Sequence, residues 1–225
     1  MTADAADGRL LQRFVPELEK LRITDTHEQL PLTELSDGAP VWLKTAGRQL
    51  EILARFEVAG NCSFGLHVLA SKPALAEFTT IGVDITDDLT FVDRMNSSGA
   101  NPLVPNRGLL DVRAGLLPPD HSSSSDGTRT IAIHVIVDGP IVTFIVSNET
   151  ALSVYVYPQL QSLDQEQWWR GAMVEWHGRR CDSARECRRV AATQRVRVTV
   201  VKHHTRASAF CHPPVVVVAG GCPSG

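Results

Sequence analysis

The sequence predicts an all-β protein: a two-sheet antiparallel β-sandwich with a short N-terminal helix and an irregular C-terminal extension. Two observations carry that prediction. From about residue 50 to residue 157, apolar and polar residues alternate with period two in a succession of short runs. Gly, Asn, Asp and Ser clusters separate the runs, and no helical period interrupts them.

The first patterned segment is Phe14-Val-Pro-Glu-Leu-Glu-Lys-Leu-Arg22, which offers one or two helical turns. Pro16 suits a first-turn position, where no backbone N–H is needed, and Leu18 and Leu21 fall on one side. Leu50 to Val58 then alternates, with Ile52, Ala54, Phe56 and Val58 on one face and Glu51, Arg55 and Glu57 on the other. That is the pattern of a half-buried antiparallel strand. Further runs follow at Ser63–Ala70, Glu77–Asp84, Leu89–Asp93, Leu109–Ala114, Thr130–Val137, Ile141–Val146 and Ala151–Tyr157. The turns between them are read at Ala59-Gly-Asn61, Asp87-Asp88, Ser97-Ser-Gly99, Asp138-Gly-Pro140 and Ser147-Asn148, and Asp120–Gly127 reads as an exposed loop.

The last 65 residues differ in composition. Up to residue 160 there are 12 basic and 20 acidic residues; after it there are 10 and 5, which together give the net charge of −3. Four of the five cysteines and three of the four tryptophans also lie in this tail, so it reads as an appendage to the body. Gln194–Val201 alternates Val196, Val198 and Val200 against Arg195, Arg197 and Thr199, and Val215–Val218 is strand-like. Two readings stay open here: two added strands, or a poorly ordered extension.

Composition excludes several classes. With 225 residues, 43% of them hydrophobic and 21% charged, the chain suits a folded domain of sandwich size rather than a disordered, collagenous or coiled-coil protein. The longest purely apolar stretch, Val215–Ala219, falls far short of the roughly 20 residues of a membrane-spanning helix. The small net charge offers no field to gather nucleic acid, so neither nucleic acid nor membrane is expected as a partner. Met1–Arg13 lacks the apolar core of a secretory signal. The body nevertheless holds three Asn-x-Ser/Thr acceptors, at Asn61, Asn96 and Asn148, which are used only in a secretory context. The two facts together lead us to expect a chain that starts partway through a longer secreted protein.

Candidate chemistry is sparse. Asp84, Asp87, Asp88 and Asp93 bracket one hairpin, and Asp138 and Glu149 sit at turns, where carboxylates cap loops instead of forming a catalytic pair across a cleft. No Gly-x-Ser-x-Gly elbow, P-loop or dinucleotide fingerprint occurs. Cys62 precedes an apolar strand and reads as a packing residue. In the tail, Cys181 and Cys187 are spaced too widely for an ordinary zinc pair, although His203, His204, Cys211, His212 and Cys222 follow. Disulfides among the tail cysteines remain open. We expect no catalytic residue, cofactor or metal site.

Several segments, taken in order, resemble the C-terminal module of glycoside hydrolase family 32, the invertase, inulinase and levanase type of β-fructosidase. Leu11–Arg22 resembles the family's connector, Q-x-P-V-x-E-L-x-x-L-R. Phe64-Gly-Leu-His-Val68, Thr79-Thr-Ile-Gly-Val-Asp84 and Leu89–Arg94 followed by Ser98-Gly99 resemble its F-G-L-x-V, T-T-I-G-x-D and L-x-V-D-R-x-x-S-G strands. Ile133–Asp138, Val142–Phe144 and Tyr157-Pro158 resemble its late elements, with Pro140 and Thr143 standing where relatives carry Ser and Glu. The resemblance runs from about residue 9 to 158. It implies a connector over 1–30, a β-sandwich module over 31–160 and an extension over 161–225.

The family's catalytic residues belong to an N-terminal β-propeller, in W-M-N-D-P-N-G, R-D-P and E-C motifs. None of these stands in context here; Arg185-Glu186-Cys187 shares letters only. The resemblance therefore implies a non-catalytic module of carbohydrate metabolism, secreted, partnered by a propeller domain. Two alternatives are a fragment of an active enzyme that hydrolyses sucrose or fructans, and a free-standing carbohydrate-binding module. The second would call for aromatic platforms, of which the body offers Trp42, Tyr155 and Tyr157. A sheet face meant for a propeller would leave the lone module prone to self-association.

Overall fold

Residues 2–4, 9–35, 39–60, 62–70, 77–97, 112–117, 127–156, 173–174, 176–177, 194–204 and 214–219 are described by the structure, a computed structural model. In chain order its strands are β1 (Thr2–Asp4), β2 (Arg9–Leu11), β3 (Arg22–Leu35), β4 (Ala39–Ala46), β5 (Gln49–Ala59), β6 (Ser63–Val68), β7 (Thr79–Asp84) and β8 (Leu89–Asp93). They continue as β9 (Val112–Leu116), β10 (Thr128–Asp138), β11 (Ile141–Val146), β12 (Thr150–Tyr155), β13 (Met173–Val174), β14 (Trp176–His177), β15 (Gln194–His203) and β16 (Pro214–Ala219). A 3-10 helix spans Pro16–Leu21 with its proline at the first turn, as the sequence leads one to expect.

Two antiparallel sheets make the sandwich. One has six strands in the order β12-β11-β10-β5-β15-β3. The other runs β13-β4-β16-β6-β7-β8-β9, with β14 also beside β6, and β1 and β2 pair separately. Period-two alternation produces the core directly. Ile52, Ala54, Phe56 and Val58 of β5 are at most 3% exposed and meet Ile131, Ile133, Val135 and Val137 of β10 and Val142, Phe144 and Val146 of β11. From the opposite sheet come Phe64, Leu66, Val68, Ile81, Val83 and Val92. The Phe56 and Phe64 rings, with centroids 4.7 Å apart, join the two layers. Each such side chain withdrawn from water contributes about 1.5–3 kcal/mol before entropy is counted.

The glycines of two motif strands have a packing reason. Gly65 and Gly82 are direct cross-strand partners, and Phe91 is the next partner across, on β8. A Cβ on Gly82 would lie 2.4 Å from the Phe91 ring, and one on Gly65 would lie 2.0 Å from the Ile81 carbonyl oxygen. The F-G-L and T-T-I-G patterns thus record a place where backbone and an aromatic ring press together. At the open side of the sandwich, Arg94 Nη1 donates to the Tyr155 carbonyl at 2.8 Å and Thr150 Oγ1 to the Leu116 carbonyl at 2.6 Å, tying β8 and β9 to β12.

Two long strands, β3 and β4, precede the first one read from the sequence, and β3 already begins at Arg22, inside the stretch assigned to the connector. Beyond residue 160, both strand-like runs form strands. β15 lies between β5 and β3, and its Val196, Val198 and Val200 are fully buried in the common core. The compositionally distinct tail therefore supplies an interior strand of the six-stranded sheet. β16 lies between β4 and β6.

Candidate functional site

The most concentrated polar chemistry in the fold lies on the outer face of the six-stranded sheet, where residues 12–22 cross it as a strap. Strap and sheet meet at Glu51, a polar position of the alternating β5, between Leu50 and Ile52. Period two sends Glu51 away from the core, yet it is only 2% exposed, because the strap covers it. Arg22 embraces its carboxylate through two parallel bonds, Nε to Oε2 and Nη2 to Oε1, both 2.7 Å. His134 on β10 and His203 on β15 approach the same two oxygens through Nε2, at 2.9 and 3.1 Å. A carboxylate can only accept, so both imidazoles donate from Nε2.

Four further contacts hold the strap down. The Phe14 ring stands edge-on to His134, centroids 4.6 Å apart. At one end the Gln12 backbone N–H donates to the Asn148 carbonyl at 2.6 Å and its side-chain amide to the Glu149 carbonyl at 2.7 Å. At the other end the His204 N–H donates to the Leu21 carbonyl at 2.8 Å.

The electrostatics suit holding, not reaction. Burial pushes the Glu51 carboxyl upward, but hydrogen bonds from Arg22, His134 and His203, with the Arg22 charge, outweigh it and keep the group well below the usual carboxylate range. The hydrogen bond to Glu51 raises Arg22 against the opposing effect of burial, and the Glu51 and Glu19 charges add to it. Both carboxylate oxygens are occupied by donors, so Glu51 has neither a proton to give nor a lone-pair face turned to a substrate. Among the described residues no group of three or more His, Cys, Asp or Glu side chains is arranged to hold a metal ion.

The residues singled out from sequence fall elsewhere. Asp84 Oδ1 accepts from the N–H groups of Thr86 and Asp87, and Asp93 Oδ1 from that of Met95, so both serve as turn caps. Asn96 and Asn148 are exposed, Asn148 in a tight turn at φ +62°, while Asn61 lies outside the described residues. Cys62 is buried in the core, and Trp42 packs half-buried against it. Tyr155 is 57% exposed; Tyr157 lies outside the described residues. Of the tail set, His203 binds Glu51 and His204 is exposed, whereas Cys181, Cys187, Cys211, His212, Cys222 and the Arg185–Cys187 run lie outside the described residues. Thr143, standing where relatives carry Glu, bonds Ser153 through its hydroxyl.

The Glu51 cluster is absent from the sequence reading because its partners are separated by 29, 83 and 152 positions. The one local cue was the Leu21-Arg22 end of the connector pattern.

An all-β sandwich with a strap clasped to one face, and an ion cluster that fastens instead of reacting, defines an accessory module. The sequence matches the family described as "Glycosyl hydrolases family 32 C terminal" over residues 17–174, so the chain belongs to that family. Its fold is similar to that of exo-inulinase from Aspergillus awamori, with a TM-score of 0.63 at 17% identity over 90% of this chain and 34% of that one. Fructan 1-exohydrolase IIa from Cichorium intybus gives 0.63 at 16%, covering 96% of this chain and 41% of the other. Fructofuranosidase from Schwanniomyces occidentalis gives 0.60 at 13%, covering 91% and 38%. The chain thus spans well under half of these enzymes. A search of curated proteins by sequence found no match.

Proposed function

We propose that the chain acts as the non-catalytic sandwich of a β-fructosidase, supporting a propeller domain that carries the reactive carboxylates. The observation that carries this reading is the clasp itself. Buried Glu51, held also by His134 and His203 of the sheet, receives both donors of Arg22, the last residue of the stretch that resembles the family's interdomain connector, and so fixes where that stretch meets the sandwich. The match to a C-terminal family module and the absence of the propeller motifs from the sequence support it.

Purified protein should release no fructose from sucrose or inulin alone, and should bind a family 32 propeller domain and raise its thermal stability. Fructose release by the chain alone would overturn the reading. A secretory setting fits the exposure of Asn96 and Asn148. Glycopeptide mapping of protein secreted from a eukaryotic host should find glycans on both, and unmodified peptides would remove that support.

A further inference from the structure

We propose that the Glu51 clasp is proton-sensitive: Arg22 competes for one carboxylate with protons taken up by His134 and His203, so acidification loosens the strap while the sheet beneath it stays folded. The inference stands on the geometry of the cluster and is independent of which domain the strap leads to.

The competition follows from how the donors are shared. Each Glu51 oxygen accepts one Arg22 N–H and one imidazole N–H, Oε1 from Nη2 and His134, Oε2 from Nε and His203. Both rings turn Nε2 to the carboxylate, and among the described residues neither Nδ1 has a hydrogen bond. Each ring can therefore take a proton at Nδ1 and keep its bond to Glu51, which then becomes charge-assisted. The guanidinium only loses by that proton. His203 and Arg22 are direct cross-strand partners on β15 and β3, and like charges placed opposite one another destabilise a sheet. His134 donates to the same oxygen as Arg22 Nη2, so its proton sets a second cation beside the guanidinium.

Phe14 acts in the same direction. Its ring stands edge-on to His134, so the docked strap withdraws that imidazole from water, and desolvation disfavours an imidazolium. With the strap docked, Arg22 and Glu51 are the ion pair. With the strap lifted, imidazolium charge balances the same carboxylate without a rival cation. The lifted form binds more protons, so falling pH favours it. Glu51 stays ionised meanwhile, held well below the usual carboxylate range, so only its donors change.

The surrounding charges do not offset this exchange. Arg13, Glu17, Glu19 and Lys20 stand on the strap, Asp25 on β3, Arg55 on β5, Asp138 on β10, and Lys202 and His204 on β15. Among the described residues only Glu19 makes an ion pair with the cluster, at 3.4 Å from Arg22 Nη1, and at 64% exposure it is screened. The Gln12 and His204 bonds at the two ends of the strap run to backbone carbonyls, which do not titrate. Loosening is therefore confined to the stretch between them.

The test is amide hydrogen exchange on the full chain from about pH 8 to about pH 5, the range in which imidazoles change charge, with rates corrected for intrinsic pH dependence. Opening within residues 14–21 should increase about tenfold across that range, while β5 and β10 keep their protection. A His134→Gln/His203→Gln chain, whose amides still donate to Glu51 but take no proton, should give a flat profile. Each single substitution should give an intermediate rise, which preserves the comparison if the double variant does not fold. Coupling is mutual, so in Arg22→Gln the NMR signals of both imidazoles should titrate at higher pH than in the unaltered chain. Strap exchange that stays constant or slows on acidification, a rise that persists in the double variant, or imidazole titrations indifferent to the loss of Arg22 would each overturn the proposal.

Discussion

Glu51 shows how one side chain can be sent outward by strand periodicity and still be buried. Its neighbours on β5 obey the alternation; what differs is that Arg22, His134 and His203 converge on it. Removing one partner of a buried ion pair costs about 3–5 kcal/mol when both are enclosed. Arg22 is 29% exposed, so Glu51→Gln should cost less, about 2–3 kcal/mol in urea unfolding. The sign with pH follows from the depressed carboxyl: the unfolded chain, with a glutamate near pKa 4.3, takes up the proton more readily than the folded one. The contribution is therefore complete above about pH 5 and is lost as pH falls through 4 toward the lower folded value. Urea midpoints recorded from pH 3 to 7 should fall more steeply in the unaltered chain than in Glu51→Gln, and parallel curves would show that the clasp contributes nothing. Thr90 presents the opposite case. Its hydroxyl is fully buried, with no hydrogen-bond partner among the described residues, on a side that packs with the core residue Val83. Thr90→Val keeps the shape and removes the unsatisfied group, so stability should rise by about 1 kcal/mol; a loss on thermal unfolding would mean the hydroxyl is satisfied.

At the scale of elements, the connections explain why the alternating runs were readable. Gly60 and Gly139 take φ values of +75° and +57° at two of the turns read from sequence, and Asp88 takes +50° at a third. The β11–β12 turn places Ser147 and Asn148 consecutively at +48° and +62°. Asn tolerates that backbone, whereas Ser does so at a cost. Ser147→Gly should stabilise the protein by up to about 1 kcal/mol, and because Gln12 binds the carbonyls of Asn148 and Glu149, hydrogen exchange in the strap should slow with it. Unchanged exchange at residues 12–14 would show that turn and strap are not coupled. β3 escaped the sequence reading for a definite reason. Arg22–Leu35 carries Asp25, His27, Glu28 and Pro31 among its apolar residues, and its register against β15 shifts twice, which breaks period two.

The whole molecule depends on its last third more than composition suggests. β15 joins β3 to β5, and three of its valines are core residues, so a chain ended after residue 158 would lose the strand holding that side of the sheet together. Such a truncation should fail to give a cooperative thermal transition, and a sharp transition near that of the full chain would overturn this account. Within the sequence itself lay the runs that form β5 to β8 and β10 to β12, the turns between them that fall among the described residues, the helical turn opened by Pro16, and the motif strands that place the chain in its family. These follow from local alternation and local turn chemistry, which act over a few residues. Tertiary structure alone decided that Val196, Val198 and Val200 enter the sheet between β3 and β5, opposite β5 residues some 140 positions earlier, and that Glu51 is covered while Arg55, four residues on, is bare. The physical reason is the same for both. Which strand lies beside which, and what crosses over a face, depends on contacts between distant segments, and periodicity carries no record of those partners.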